Sequence, residues 1–418
     1  MTLTPPPLRN DCFALPAGVD WTPVDVALDH LRQTLTPVTL SEVLPLGECL
    51  GCVLAEDVHA ARSNPPQPNT AVDGYGFAGP VADGPQIMAL VTGRAAAGQA
   101  YDGEVPHGTA IRILTGAALP QGVDTVILEE DVSSDGEKIA FRGPLKKGSN
   151  TRKAGEDACA GDLILPKGRV ITPADLALAS ATGLPELLVR QPLRIGVLST
   201  GDELVESGMQ AAAGQIYDAN RPMLLALLTQ MGFVAIDLGK AADDRTALRA
   251  HLDSAASKVD AILTSGGASA GDEDHMSALL RESGAMQQWR IALKPGRPLA
   301  LGLWKGTPVF GLPGNPVAAM VCTLIFARPA MGLMAGASWA EPQGFDLPAA
   351  FEKRKKPGRR EYLRARVRDG KVEVFQSEGS GRVSSLSWAE GLVELADGAG
   401  EIKPGAPVRF IPYSSFRL

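Results

Sequence analysis

The pattern of apolar and polar positions changes sharply near Leu193. From there on, apolar runs of buried-strand length (RIGVLST, FVAIDLG, DAILTSGG) alternate with helical stretches (PMLLALLTQM, RTALRAHLDSAAS), an alternation typical of a parallel α/β sheet. WRIALKPG, LALGLW and PVFGLPG continue the series of strands, and Asn315 with Pro316 opens a further helix. Residues 193–330 are therefore predicted to form a three-layer α/β domain.

Two helix starts can be recognised before that point. Thr22 as N-cap and Pro23 at the first helical position precede the periodic VDVALDHLRQTL. Thr172, with Asp175 in the first turn, opens a second helix that is predicted to stop at Gly183.

The remaining stretches contain short β-rich runs. Between the two helices, runs such as IMALVT, AIRIL and DTVILEE alternate with Gly/Pro turns, and EYLRARV, KVEVFQ, LVELA and PVRFIP follow the α/β stretch. The fold class predicted is multidomain α/β plus β. The expected boundaries are 1–62 with 149–192 for a helical linker domain, 63–148 for an inserted β domain, and 331–418 for a small C-terminal β domain.

Composition narrows the classes of ligand. The 418 residues include 40 basic and 47 acidic side chains, a net charge of −7 that disfavours binding of nucleic acid or anionic lipid, so any anion needs a local site. The N-terminus has no signal-peptide pattern, and the longest apolar run, 316–327, is shorter than a membrane span, so a cytoplasmic protein is expected. Cys49 and Cys52 form a lone CxxC, which we interpret as packing residues.

Candidate chemistry follows the strands, because ligands of open α/β sheets bind beyond the carboxyl ends of the strands. After DAILTSGG, glycines that include Gly267 allow backbone amides to cradle an oxyanion. Asp274 and its acidic neighbours would repel a phosphate there unless a divalent cation such as Mg²⁺ lies between them. The alternative is that these acids cap the following helix.

Carboxylates recur after two more strands. RIGVLST leads into Ser199, Thr200 and a carboxylate pair that includes Glu203. Asp243 and Asp244 follow FVAIDLG, but Asp243 is also well placed as the N-cap of RTALRAHL.

Positive groups lie close by in sequence. Lys294, Arg290 and Arg297 come from a strand and the turn after it, and LPGNP puts Gly314 at a helix N-terminus, a position that favours anions. Together these groups suggest phosphoester or oxyanion chemistry, although LPGNP alone is equally a plain turn and cap.

Other candidates have simpler explanations. Asp73 in NTAVDGYG and Thr115 in RILTGA are turn residues on local grounds. Arg152 and Asp157 in NTRKAGEDACAG are explained by a surface salt bridge. The basic run FEKRKKPGRR is a solvated loop or a phosphate clamp, and composition favours the loop. HExxH and Walker-type motifs are absent from the sequence, which excludes the usual zinc-hydrolase and P-loop signatures.

Taken in order, these loops resemble the molybdopterin molybdenumtransferase family, which includes MoeA and the C-terminal domain of gephyrin. The matching strings run over most of the chain: NTAVDGYG, IRILTGAALPQGVDTVILEED, NTRKAGED, VLSTGDEL, QIYDANR, TSGGASAGDEDH, LKPGRP, GLPGNPVA and SGRVSSLSWAEGL.

The resemblance implies a homodimer whose linker domain dimerises and whose α/β domain binds molybdopterin. It also implies a reaction in which adenylylated molybdopterin and molybdate give molybdenum cofactor and AMP, with Mg²⁺ as cofactor. Expected partners are the adenylyltransferase of the same pathway and apo-molybdoenzymes or their chaperones, with no nucleic acid or membrane. The functional-looking loops fall into two sets, 69–157 and 199–316, and together with the implied dimer this split suggests the hypothesis that one site uses loops of both sets from different subunits.

The resemblance also implies roles for individual residues. Asp274, Glu203 and Asp243 match acidic positions that hold metal or catalyse, and Asp73 is a fourth catalytic candidate. The positions implied to bind the cofactor or substrate are Lys294, Arg290, Arg297, Thr115, Arg152, Asp157, Ser269, Gly267, Pro313, Gly314 and Pro316.

Some positions depart from the family pattern. Arg290 and Arg297 stand where lysines are common, which leaves the choice between molybdate and tungstate open. Two other functions are weighed: a molybdopterin adenylyltransferase, which would need only the α/β domain, and a scaffold that keeps the fold without turnover.

Overall fold

The structure, a computed structural model, describes residues 21–266, 275–282, 286–296 and 298–418. The chain divides into two compact units. We call Glu42–Val189 the insertion unit, and Met1–Ser41 together with Arg190–Leu418 the main unit.

The insertion unit is built around a six-stranded sheet. Phe77 and Phe141 stack at 5.4 Å between ring centroids in its core. The strand order is Thr125–Leu128, Gly74–Phe77, Thr109–Ile113, Val81–Ala95, Lys138–Leu145 and Val132–Ser134.

Short elements complete this unit. Cys49 is fully buried in an apolar cluster, as the packing interpretation predicts. The short strands are Ser41–Pro45, Val53–Leu54, Val58–His59, Asn69–Thr70, Thr151–Arg152, Leu163–Leu165 and Glu186–Arg190, and the 3-10 helices are Leu46–Glu48 and Glu129–Asp131.

The helix Pro173–Ala181 begins as its sequence predicts. The Thr172 side chain accepts a hydrogen bond from the Asp175 amide, and the Asp175 carboxylate accepts one from the Thr172 amide, a reciprocal capping box. The first helix is different: it runs over Val24–Thr34 with Pro23 as N-cap and no side-chain cap, so the prediction of Thr22 as cap is wrong. The Thr22 carbonyl instead accepts a hydrogen bond from the Ala292 amide at 2.8 Å.

The α/β part of the main unit has a six-stranded sheet that is mixed rather than wholly parallel. Its strand order is Val234–Ala241, Arg194–Thr200, Ala261–Ser265, Thr307–Leu312, Pro298–Trp304 and Met286–Arg290. The first four strands are parallel, and the last two pair antiparallel. The helices are Asn220–Gln230, Arg245–Ala256 and His275–Glu282, and the strands Leu204–Val205 and Ile216–Tyr217 form a small parallel pair.

The helical run after LPGNP is longer than the apolar sequence suggests. Pro316–Cys322 continues through a π-helical turn, Thr323–Ala327, into Arg328–Met334. These 19 residues are long and apolar enough to cross a membrane, so the prediction that the run is too short is wrong. However, 83% of the apolar window is buried inside the fold, as in a core helix.

The C-terminal part of the main unit is a second sheet. Its strands, in order, are Leu293–Lys294, Arg360–Arg368, Gly391–Leu395, Pro407–Pro412 and Phe345–Pro348, and Lys371–Val374 pairs with Arg360–Arg368. A two-stranded ribbon of Lys353–Lys355 and Gly400–Ile402, the helix Ser384–Trp388 and the 3-10 helix Tyr413–Phe416 complete it.

The first helix is fastened to this second sheet. Asp25 accepts two hydrogen bonds from the Arg360 guanidinium, both at 2.8 Å, across 335 positions of sequence. Val24, Ala27 and Leu31 bury the other face of the helix in the core of the main unit.

Candidate functional site

Three loops converge at the carboxyl ends of the parallel strands. Gly266 has a φ of +92°, and a Cβ atom built there would lie 2.7 Å from the Thr200 carbonyl oxygen. Its Cα lies 3.9 Å from where a Cβ of Gly314 would stand. Only glycine combines this left-handed conformation with so close an approach, and the result is the backbone-lined crevice that the sequence predicts.

Buried hydroxyl groups without partners line this edge of the sheet. Among the described residues, the side-chain oxygens of Ser199, Thr200 and Thr264 have no hydrogen-bond partner, although all three residues are buried. Leaving a buried polar group unpaired costs about 1–3 kcal/mol, so this edge of the sheet has a polar and energetically unfavourable lining.

Asn220 ties two of the loops together and was not predicted as a site residue. Its side-chain amide donates to Ser265 Oγ and to the Gly314 carbonyl, both at 2.7 Å. The residue is buried and opens the helix Asn220–Gln230. The signal in the sequence was the QIYDANR string, which matched the family without suggesting a role for this asparagine.

Two of the predicted carboxylates lie at this edge. Glu203 is exposed and folds against Gly201, where a Cβ atom would come within 2.5 Å of its Oε2. Asp243 is exposed, and its main-chain amide donates to Asp202 Oδ1 at 3.1 Å. Asp244, not Asp243, caps the helix Arg245–Ala256 by accepting from the Ala247 amide at 2.8 Å, so the capping interpretation of Asp243 is wrong. The Asp243 carboxylate is thereby left available.

The LPGNP loop opens the buried helix, with Pro313 and Gly314 before it and Pro316 at its first position. Asn315 occupies the N-cap position but makes no side-chain capping bond. The Val317 amide instead donates to the Ser380 carbonyl at 3.2 Å. The SGRVSSL segment, which had no predicted role, thus reaches the first turn of this helix.

Lys294 lies in a setting that the sequence predicts only in part. It follows Met286–Arg290, the antiparallel edge strand of the α/β sheet, as predicted, but it also pairs in parallel with Glu361 in the second sheet. The loop after it still approaches the LPGNP helix, because a Cβ on Gly296 would lie 3.1 Å from Cys322 Sγ. Non-local strand pairing places this lysine, which a local pattern does not reveal.

Lys294 belongs to a cluster of two lysines and two glutamates. Its Nζ lies 2.5 Å from Glu378 Oε2 and 3.6 Å from Glu361 Oε1. Lys353 Nζ lies 3.1 Å from Glu361 Oε2 and also bonds Glu378 Oε1. Burial raises the pKa of Glu378, but the hydrogen bonds from Lys294 and Lys353 outweigh it and lower that pKa to about 2.

The basic run 353–360 is therefore only in part the predicted solvated loop: Arg354 and residues 356–358 are exposed, but Lys353, Lys355 and Arg360 are not. Lys353 is 10% exposed in the cluster above, and Lys355 is buried with its ammonium donating to three carbonyl groups. Arg360 holds Asp25. A cavity of about 670 Å³ adjoins the cluster, and its lining includes Lys294, Lys353, Arg364, Arg366, Phe375 and Trp388.

In the insertion unit, Asp73 and Thr115 are brought together. Asp73 Oδ1 accepts from the Thr115 hydroxyl and amide, both at 2.6 Å. These two hydrogen bonds, that of the hydroxyl first, hold the pKa of Asp73 below its ordinary value.

The salt-bridge explanation for the 152–157 loop is wrong. Asp157 Oδ2 accepts from the side-chain Nδ2 of Asn64 at 2.9 Å, and Glu156 accepts from the Lys153 main-chain amide at 2.9 Å. Arg152 pairs with Asn69 in a short ladder and is exposed.

Several predicted residues lie outside the described part of the structure. These are Gly267, Ser269, Asp274 and Arg297, and for Arg290 only the main chain is described.

The described acids do not form a metal centre by themselves. Asp202, Glu203 and Asp243 share one edge of the sheet, yet within the described ranges no group of three acidic, histidine or cysteine side chains is close enough to hold an ion. The predicted Mg²⁺ site therefore does not fit the described residues alone.

The class of the protein follows from its domains, which match three family models. Residues 196–332 match the family model described as "Probable molybdopterin binding domain". The flanking residues 22–183 and 346–413 match the models for the MoeA N-terminal region (domain I and II) and the MoeA C-terminal region (domain IV).

The chain belongs to the MoeA family. It is 35% identical to "Molybdopterin molybdenumtransferase" of Haemophilus influenzae, over 94% of this chain and 98% of that protein. It is 33% identical to "Molybdopterin molybdenumtransferase 2" of Mycobacterium tuberculosis, over 91% and 96% of the two chains. The crystal structure of a molybdopterin biosynthesis MoeA protein from Pyrococcus horikoshii OT3 superposes with a TM-score of 0.82 at 27% identity, covering 94% of this chain and 100% of that one.

Proposed function

We propose that the protein is a molybdopterin molybdenumtransferase. It takes adenylylated molybdopterin and molybdate, inserts molybdenum at the dithiolene sulfurs, and releases AMP and molybdenum cofactor. The convergence of Gly266 and Gly314 at one sheet edge carries this proposal, because bare backbone suits the close approach of a phosphorylated ligand.

The roles that we propose for the residues follow from the charges of their side chains. Lys294, with Arg290 and Arg297, holds an anionic part of the substrate, since ammonium and guanidinium groups make strong charge-assisted hydrogen bonds to oxyanions. Glu203 and Asp243 lie at the crevice edge and act on the phosphoanhydride together with Asp274. Asp73, Thr115, Arg152 and Asp157 serve the same reaction.

Mg²⁺ dependence is part of the proposal. A leaving AMP carries negative charge, and a divalent cation stabilises such a leaving group. The acidic edge formed by Glu203 and Asp243 supports a cation in that neighbourhood, with Asp274 as the third acid.

The decisive experiment incubates the purified protein with adenylylated molybdopterin, molybdate and Mg²⁺. AMP and molybdenum cofactor are expected together, and EDTA is expected to abolish both. Formation of neither product in the presence of Mg²⁺ would contradict the proposal and favour the scaffold. Adenylylation of molybdopterin from ATP instead would favour the adenylyltransferase.

The assembly and setting are also proposals. We expect a cytoplasmic homodimer that receives substrate from the adenylyltransferase of the pathway and passes cofactor to apo-molybdoenzymes or their chaperones. The family membership over nearly the whole chain supports these assignments.

A further inference from the structure

The carboxylate of Glu378 bridges the two lysines of the cluster, Lys294 and Lys353. Its two carboxylate oxygens bond different lysines, Oε2 with Lys294 and Oε1 with Lys353. A bidentate carboxylate between two ammonium groups resembles the way in which a tetrahedral or planar oxyanion would be held.

The two glutamates of the cluster differ in how they are fixed. The Glu361 side chain is 7% exposed and stands in the strand Arg360–Arg368, between two neighbouring strands. The Glu378 side chain is 49% exposed and lies between the strand Lys371–Val374 and the helix Ser384–Trp388, outside regular structure. Glu361 is therefore the permanent counter-ion, and Glu378 is the one that can leave.

The charge balance shows what its departure would create. Two lysines and two glutamates sum to zero, so the cluster has no net attraction for an anion while Glu378 is bound. Without Glu378, Lys294, Lys353 and Glu361 carry one net positive charge beside the 670 Å³ cavity. A cavity wall with this charge attracts an oxyanion.

Protonation does not release Glu378 under ordinary conditions. Its pKa is lowered to about 2 by its two lysine partners, against the effect of burial. Burial lowers the pKa of Lys353, but its bonds to Glu378 and Glu361 outweigh burial and raise it. Near neutral pH Glu378 and Lys353 keep their charges, and the remaining way to displace the carboxylate is exchange for another anion.

We propose that Glu378 is a tethered competitor that an incoming oxyanion must displace from Lys294 and Lys353. This rests on the anion-binding role of Lys294 in the proposed function. A dianion such as molybdate interacts with the pair more strongly than a carboxylate monoanion does, so it can displace the tethered carboxylate. Glu378 lowers the affinity for every anion by the same factor, and thus sets anion affinity without being a catalytic residue.

The test measures molybdate binding to the whole protein by calorimetry. Glu378→Gln keeps the shape of the side chain and removes its charge, and we expect molybdate to bind about ten-fold more tightly, because a charge-assisted competitor has been removed. Formate, a monoanion, is expected to gain by about the same factor, because the same competitor is removed for every anion.

Glu373→Gln is the matched control. Glu373 lines the same cavity and pairs with Arg366 at 3.0 Å, but contacts neither lysine. We expect a much smaller change in molybdate affinity for this variant. The gain from Glu378→Gln is also expected to vanish when Lys294→Ala is added.

Several outcomes would overturn the proposal: unchanged or weaker binding to Glu378→Gln, an equal gain in Glu373→Gln, or no binding to Glu378→Gln at millimolar molybdate. If Glu378→Gln does not fold, Glu378→Asp retracts the carboxylate by one methylene, and a several-fold gain is expected there. Binding is measured without the pterin substrate, so a failure here is distinct from a failure to release AMP.

Discussion

At the residue scale, the hydrogen bond between Asp73 and Thr115 makes a measurable prediction. In Thr115→Val the hydroxyl donor is lost while the main-chain amide remains, so the pKa of Asp73 is expected to rise toward its ordinary value near 3.8. The direction of the effect follows from the form of Asp73 that is bonded, since the Thr115 hydroxyl stabilises the carboxylate. Its contribution to the stability of the fold is therefore present above the pKa that Asp73 has in the unfolded chain, and it is lost as pH falls through the pKa in the folded protein. NMR titration of the Asp73 carboxyl checks this.

The same titration carries its own control. The pKa of Asp135, which is lowered by main-chain amides of Glu137 and Lys138, should not change in Thr115→Val. An Asp73 pKa identical in both proteins would mean that the hydroxyl is not a partner in solution.

At the element scale, the adjacent acids Asp243 and Asp244 separate stability from function. Asp244→Ala removes the N-cap of the helix Arg245–Ala256 and is expected to destabilise the main unit by about 1 kcal/mol. Asp243→Ala removes a carboxylate that caps nothing, so it should leave thermal unfolding nearly unchanged while lowering AMP release.

Unfolding curves and the AMP-release assay, measured on both variants, test whether Asp244 stabilises the fold and Asp243 acts in the reaction. Each serves as the control for the other, because they remove the same group one position apart. Loss of stability in Asp243→Ala with none in Asp244→Ala would reverse the assignment.

What the sequence predicts at this scale depends on how local the cause is. The helix Pro173–Ala181 was predictable because Thr172 and Asp175 satisfy each other within one turn. The cap of Arg245–Ala256 was misplaced by one residue, since two neighbouring aspartates suit the same position. The converging strand ends were predictable from the α/β alternation alone.

Non-local pairing explains what the sequence did not reveal. Lys294 joins Arg360–Arg368 in a sheet assembled from distant segments, and Lys353 is buried because Glu361 and Glu378 neutralise it. A run of basic residues reads as a solvated loop until its partners are known. The unpredicted role of Asn220 is of the same kind, since Ser265 and Gly314 reach it only in the folded chain.

At the scale of the whole molecule, the proposed homodimer predicts complementation between inactive proteins. If Asp73 and Asp274 serve one reaction from different subunits, mixing Asp73→Ala with Asp274→Ala should rebuild activity. Random exchange makes about half of the dimers mixed, each with one intact site, so roughly a quarter of wild-type AMP release is expected. Mass spectrometry of the mixture confirms exchange, and zero recovery after confirmed exchange would place both residues in one chain's site or show coupled sites.

The long separation in sequence between Asp25 and Arg360 also has a consequence for folding during translation. The two residues are 335 positions apart, so at about 5–20 residues per second the first helix waits roughly 17–67 s for its partner to be synthesised. Until Arg328–Met334 has been made, the apolar face of Val24, Ala27 and Leu31 lacks the helix that it packs against in the folded protein, whereas Glu42–Val189 is complete well before that point. A nascent chain of this protein therefore presents an early hydrophobic helix to chaperones for most of its own translation.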